Sequence, residues 1–158
     1  MNVEHVMTRE ARTCGPHDSM TQAAQIMWES DCGCVPVVDA DGKAIGMITD
    51  RDICMAAYTQ GRPLWQIPVA IAASHGVVVV HARDTLQAAE ELMKQHRIRR
   101  LAVIDADGRP IGILSMNDLA RHASTGRGRG DLDGDTIAKT LAAICAPNAR
   151  VMRRTPTA

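Results

Sequence analysis

Aromatic residues are nearly missing from this chain of 158 residues, which holds two Trp, one Tyr and no Phe. Single-stranded nucleic acid is bound largely by stacking bases on aromatic rings, so that kind of platform is excluded. An excess of either charge is also lacking, because 18 basic side chains face 18 acidic ones. Such a chain has no broad field to attract duplex nucleic acid or an anionic membrane surface. Long apolar runs are absent. Val77 to Val80 is the most intense and falls far short of the roughly 20 residues a spanning helix needs. No basic start followed by an apolar run marks a secretory signal, so a cytoplasmic location is expected. The five cysteines are odd in number and suit free thiols in a reducing compartment better than a disulfide framework. No nucleophile turn, Ser/His/Asp set or carboxylate pair in a convincing cleft stands out, so a binding module is expected rather than an enzyme.

Apolar residues make up 46 % of the chain, enough for a core built from Val, Ile, Leu, Ala and nine Met. The dominant feature is self-similarity. Displaced by 66 residues, Asp18 to Ala56 lies on Asp84 to His122 without a gap. Val37-Val38-Asp39-Ala40-Asp41-Gly42 falls on Val103-Ile104-Asp105-Ala106-Asp107-Gly108, and Ile45-Gly46 on Ile111-Gly112. Asp52 falls on Asp118, Ala23 on Ala89 and Met27 on Met93. The chain is a duplication.

Each copy predicts the order strand, helix, strand, strand, helix. The opening strands are expected at Arg12 to Cys14 and Val77 to Val80. Ser19 and Thr85 suit helix N-caps, with Asp18 and Asp84 adding favourable charge at the positive helix end. Met20, Ala23, Ala24 and Met27 form an apolar stripe at helical spacing, as do Leu86, Ala89, Leu92 and Met93. Hairpins follow, Val35 to Val38 with Ala44 to Ile48, and Leu101 to Ile104 with Ile111 to Leu114. They turn through Asp41-Gly42 and Asp107-Gly108, pairs that tolerate the positive φ of such turns. The resulting expectation is an α+β fold, two β-α-β-β-α repeats packed through their small sheets, with a short C-terminal helix. The repeats span 1-62 and 63-123, followed by a flexible linker 124-134, a helix 135-147 and a basic tail 148-158.

The chemistry points to the strand-to-helix junctions. One reads Gly46-Met47-Ile48-Thr49-Asp50-Arg51-Asp52 and the other Gly112-Ile113-Leu114-Ser115-Met116-Asn117-Asp118. A hydroxyl followed three residues on by Asp is a capping box. The same groups also suit a nucleotide, since free helix-start amides and a hydroxyl bind phosphate while a carboxylate accepts hydrogen bonds from ribose hydroxyls.

These junctions resemble the CBS domain, the repeat named after cystathionine β-synthase, through the pattern Gly-hydrophobic-x-Ser/Thr-x-x-Asp once per repeat. Val6-Met7-Thr8 resembles the family's opening and Thr13-Cys14-Gly15-Pro16 its first strand. Val35-Pro36-Val37-Val38-Asp39 and Leu101-Ala102-Val103-Ile104-Asp105 resemble its second. The second copy departs from the pattern, with Ala102 in place of Pro and no Thr or Pro in Val79-Val80-His81-Ala82. Ala143-Ile144-Cys145-Ala146-Pro147 resembles the ending of small stand-alone bacterial members. The resemblance implies two pseudo-symmetric clefts for adenosine ligands such as AMP, ADP, ATP, NAD or S-adenosylmethionine. Asp52 and Asp118 would hold ribose hydroxyls. Thr49 and Ser115 would contact phosphate, aided by Arg51 or Asn117, with Thr13 completing the set; Arg99 and Arg100 would either add phosphate charge or lie in solvent on a hairpin edge. Adenine would lie among Val35, Val37 and Ile48, or among Leu101, Val103 and Leu114.

The expected function is regulatory: an adenine nucleotide binds between the repeats and alters partner interactions, in a homodimer acting on an unidentified target protein. The alternative is a redox- or metal-responsive interaction protein with vestigial clefts. It draws on Cys14, Cys32 and Cys34, which could approach one another as a Cys14 to Cys34 disulfide or a thiolate metal site, although a closed zinc site needs four ligands and the same residues suit small buried positions near a strand. Cys54 and Cys145 read as structural thiols on helix faces. Gly126-Arg127-Gly128-Arg129-Gly130 lacks the strand and the Gly-Lys-Ser/Thr ending of a phosphate loop, and Asp131 to Asp135 lacks the distal Glu of a calcium loop.

Overall fold

The computed structural model describes residues 1–125 and 132–146. In the first repeat, helix α1 (Met20–Glu29) leads into strands β2 (Cys34–Val38) and β3 (Ala44–Thr49) and helix α2 (Asp50–Gln60). In the second, β4 (Val79–His81) and α3 (Leu86–His96) lead into β5 (Arg100–Ile104), β6 (Pro110–Ser115) and α4 (Met116–Ser124). A two-residue strand, β1 (Thr8–Arg9), precedes the first repeat, and α5 (Gly134–Cys145) follows the second. The fold is α+β with a C-terminal helix, as the repeat pattern predicts.

The caps form where the sequence places them. Ser19 accepts from the backbone N–H of Gln22, and Thr85 from that of Ala88. Gly42 and Gly108 take φ of 79° and 84° in the hairpin turns. In both hairpins the register slips by one residue before the turn, between Val37 and Val38 and between Val103 and Ile104.

The opening strands differ from expectation. In the first repeat only Cys14 bridges, parallel to Val37, in place of a strand Arg12 to Cys14. The chain turns away at once, since Gly15 N–H donates to the Asp18 carboxylate at 2.8 Å and Pro16 has no amide to donate. The second copy has a true strand, but at Val79–His81, parallel to β5.

Packing crosses the boundary expected between 1-62 and 63-123. Val3 and Met7 belong to the second repeat's core, with Leu86, Met93, Leu101 and Leu114. Ile67 and Val69 belong to the first repeat's core, with Met20, Val35, Val37 and Ile48. Each repeat is thus completed by the arm that precedes the other. The exchange is pseudo-symmetric: Asn2 bridges Thr85 and Ser19 bridges Pro68. Strand β1 extends the four-stranded sheet in the order β1-β6-β5-β4. Correspondingly, Ser74 N–H donates to Met47 O at 2.9 Å beside β3. The hairpin tips also meet, with Ala44 N–H donating to Gly108 O at 2.9 Å.

Leu132, expected in a solvated linker, is instead buried in the second core. Asp133 caps α5 by accepting from Thr136 N–H at 2.8 Å. Helix α5 lies against α3 and α4, and buried Thr140 donates its hydroxyl to the buried carboxylate of Glu90. The Gly-Arg segment 126–131 and the tail 148–158 lie outside the described residues.

Candidate functional site

Both junctions are closed capping boxes. The Thr49 N–H donates to Asp52 Oδ2 at 2.9 Å and its hydroxyl does so at 2.7 Å, while Asp52 N–H donates back to Thr49 Oγ1 at 3.2 Å. Ser115 and Asp118 repeat this at 2.8 Å, 2.6 Å and 3.3 Å. The two carboxylates then diverge. Asp118 is only 4 % exposed and its other oxygen takes the Arg121 guanidinium. Asp52 is half-buried, and no described group bonds its Oδ1. Asp52 thus keeps an oxygen with no described partner, whereas each Asp118 oxygen has one.

The glycine before each junction has a specific task. A β-carbon on Gly46 would stand 2.5 Å from Ser74 O, and one on Gly112 would stand 2.6 Å from Thr8 O. The close backbone approach is therefore to the exchanged arms, Thr8 in the arm before the first repeat and Ser74 in the segment joining the two, and Ser74 lines one cleft with Thr49.

A cleft of about 580 Å³ opens at the first junction. Thr49, Asp50, Arg51 and Asp52 form one side, with Met47 at their base. Ser74, Gly76, Val77 and Val78 run along the second side, followed by Arg97, Ile98, Arg99 and Arg100. Ile144 and Cys145, at the end of α5, close the third. Four guanidinium groups thus share one cleft with the carboxylates of Asp50 and Asp52. Arg100 has room because residue 33 is glycine: a β-carbon there would lie 2.6 Å from its Nη2 and 3.0 Å from Asp50 Oδ2. The cleft also has an apolar side, since Val78, Ile98 and Ile144 pack against the second core and still line it. Shape, positive charge and an apolar flank together suit a phosphorylated ligand with a flat organic part.

The second junction is different. At the pseudo-symmetric place a hollow of about 70 Å³ is lined by Thr8, Glu10, Arg12, Cys32, Cys34 and Ile113. Asp118 faces a separate hollow of about 230 Å³ with His5, Arg121 and His122. The cause lies in the sequence: Cys32, Gly33 and Cys34 stand where the other copy has Ile98, Arg99 and Arg100. Arg12, in the place of Val78, is held by Glu29 at 2.6 Å, and that hydrogen bond lowers the Glu29 carboxyl below its ordinary range.

Of the residues expected to bind ligand, Thr49, Arg51, Asp52, Arg99 and Arg100 come together in the large cleft. Thr13 is half-buried and does not line it, and Ser115, Asn117 and Asp118 belong to the other junction. The residues expected to face adenine do not line this cleft. Val35, Val37 and Ile48, like Leu101, Val103 and Leu114, are fully buried in the two cores. Alternate residues of a strand point to opposite faces, so Met47 and Thr49 meet the cleft while Ile48 points inward. Sequence reasoning missed Met47, Val77, Val78, Arg97 and Ile98 in this role. The arginine run continuing from Arg97 was the available signal for one of them.

All five cysteines are free thiols. Cys54 and Cys145, on α2 and α5, are exposed. Burial pushes the Cys14 and Cys34 thiols up to about 11; Asp18 adds to the rise at Cys14, and Arg100 opposes it at Cys34. Cys32 donates to the carbonyl of Cys34 at 3.3 Å. Among the described residues no group of three or more His, Cys, Asp or Glu is placed to hold a metal ion. Nor is any helix among them long and apolar enough to cross a membrane.

The family model described as CBS domain matches residues 3–58 and 70–125. The CBS domain-containing protein YhcV of Bacillus subtilis is 37 % identical over 119 residues, covering 75 % of this chain and 83 % of that protein. Hypoxic response protein 1 of Mycobacterium tuberculosis is 33 % identical over 138 residues, covering 87 % and 90 %. A crystal structure of Hypoxic Response Protein I with two coordinated zinc ions superposes at a TM-score of 0.68 with 31 % identity, covering 77 % of this chain and 98 % of that one. The crystal structure of CBSX2 in complex with AMP superposes at 0.67 with 26 % identity, covering 80 % and 98 %.

Proposed function

The chain belongs to the CBS-domain family, and on that premise we propose that it is a non-catalytic, cytoplasmic regulatory module that binds one adenine nucleotide in the 580 Å³ cleft. The observation carrying this reading is the meeting of Thr49 and Asp52 with Arg51, Arg99 and Arg100 in one cavity. Asp52 Oδ1 accepts from ribose hydroxyls, and the guanidinium groups hold phosphate through charge-assisted bonds. The binding of AMP by a related CBS pair supports the ligand class. The base packs on the apolar flank made by Val78 and Ile98, in place of the core residues Val35, Val37 and Ile48. Occupancy acts by population shift, since a ligand that neutralises clustered arginines favours the arrangement in which they lie together.

The module works as a homodimer that contacts a target protein. Its exposed aromatic side chains support this: Trp28 is 88 % and Tyr58 81 % exposed, on α1 and α2, with Met55 exposed nearby on α2. Apolar side chains of that size gain most by being covered. Thermal-shift measurements and calorimetry with AMP, ADP, ATP, NAD and S-adenosylmethionine, with and without reductant, test the reading. A stabilising shift with a phosphorylated ligand at one site per chain is expected. A response to reductant alone, with no ligand effect, would instead favour the redox-responsive reading.

A further inference from the structure

We infer that the C-terminal helix is the third wall of the nucleotide cleft, so that α5 and the bound nucleotide touch and each stabilises the placement of the other. This rests on the nucleotide reading of the cleft. Three observations carry it. Ile144 and Cys145 line the same cavity as Thr49, Asp52 and Arg99. Both lie beyond residue 125, where the match to the CBS domain ends, so the repeats alone do not provide this wall. The helix is also fixed there: Leu132 is buried in the second core, Ile137 and Ile144 pack against it, and Thr140 reaches buried Glu90.

The last turn is tied to the cleft by one of its cations. Arg97, which lines the cavity, donates to the carbonyl oxygen of Ala146 just past the end of α5. A guanidinium has five N–H donors in a planar fork, so Arg97 can keep that carbonyl and still face an anion. Ile144 presents an apolar side chain at the same edge, where a base would be shielded from water. The first repeat is not followed by an equivalent helix, since the residues after α2 run into 3-10 turns at Leu64–Gln66 and Val69–Ile71. Among the described residues the wall therefore exists on one side of the pseudo-symmetric pair only. Linkage makes the coupling reciprocal: if docked α5 raises nucleotide affinity, bound nucleotide holds α5 in place by the same factor.

The chain carries its own reporter. Cys145 is an exposed thiol on the proposed wall, while Cys54 is an exposed thiol on α2 that does not line the cleft. Cys14 and Cys34 are buried and react slowly. Alkylation of the full chain by iodoacetamide, followed residue by residue by mass spectrometry, is run with AMP or ATP at ten times the Kd found by calorimetry. Cys145 should then react about tenfold more slowly, because about a tenth of the clefts remain empty, with Cys54 unchanged. Ile144→Ala should weaken binding about fourfold or more, as expected for losing at least one buried CH2 of contact. Leu141→Ala, on the exposed side of the same helix, should leave binding unaltered. If nucleotide binds yet Cys145 reacts at an unchanged rate, the wall assignment is overturned and the nucleotide reading survives. If neither AMP nor ATP binds at all, the nucleotide reading fails and the inference falls with it. The alkylation arm uses the unaltered chain, so it decides even if Ile144→Ala does not fold.

Discussion

Gly46 passes so close to Ser74 that a β-carbon on the glycine would stand 2.5 Å from the Ser74 carbonyl oxygen, and Gly112 meets Thr8 in the same way at 2.6 Å. Neither obstacle is a flexible side-chain end; both are backbone oxygens of the exchanged arms. Gly46→Ala must therefore push the arm off β3 or bend the strand. A loss of about 1–3 kcal/mol is expected, measured by urea denaturation. Gly134→Ala is the contrasting case, because nothing lies within 4 Å of a β-carbon at the start of α5. That change should be neutral or stabilising by up to about 1 kcal/mol, since alanine favours a helix.

The two aspartates of the capping boxes should separate stability from binding. Asp52→Ala removes the acceptor for two Thr49 donors and should cost about 1 kcal/mol of stability. It should also abolish the nucleotide-induced rise in Tm. Asp118→Ala should cost stability at least as much, because Asp118 is buried and also holds Arg121. Nucleotide affinity should be retained. Equal loss of binding in both variants would show that the second junction is a site as well.

Much of this arrangement could be read before any coordinates. The duplication, the caps at Ser19, Thr49, Thr85 and Ser115, and the hairpin turns at Gly42 and Gly108 all rest on local chemistry that short stretches encode. The grouping of Thr49 with Arg99 and Arg100 followed from the family resemblance. What could not be read depends on parity or on distant contact. None of Cys34–Val38 lines the cleft, and an apolar run covered on both faces does not show by its pattern that Val35 and Val37 belong to the core. The exchange of arms places Val3 beside Leu86 and Ile67 beside Met20, partners far apart in the chain. The final position of Ile144 depends on Leu132 entering a core that the polar residues around it conceal.

Alkaline pH should weaken the fold through Cys14 and Cys34. Their thiols rise from the ordinary value of 9.0 to about 11 in the folded chain, chiefly because burial disfavours thiolate. A raised folded-state value means the unfolded chain loses its protons first as pH increases. Stability is then fully present below about pH 9 and declines as pH passes through about 11. Urea midpoints compared at about pH 8 and about pH 10.5 should show this decline. A double variant, Cys14→Ala with Cys34→Ala, should show a smaller one. An identical decline in the double variant would place the sensitivity elsewhere.

Thr140 holds α5 without touching the cleft, which makes it the means of testing whether the position of that helix matters. Its hydroxyl donates to Glu90, a buried carboxylate that also pairs with Lys94 at 2.8 Å, and that bond raises the Lys94 ammonium above its ordinary range. Thr140→Val keeps the shape but leaves the carboxylate one donor short, so stability should fall by about 1–3 kcal/mol. Thr140→Ser restores a hydroxyl and should recover most of the loss. Nucleotide affinity should follow the same order, weakest in the valine variant and largely restored in the serine one. Residue 140 lies outside the cleft lining, so such a pattern would reach the ligand through the placement of Ile144 and Cys145 or, by way of Glu90, through α3, which leads into Arg97. Unchanged affinity alongside lowered stability would instead make α5 a structural brace alone.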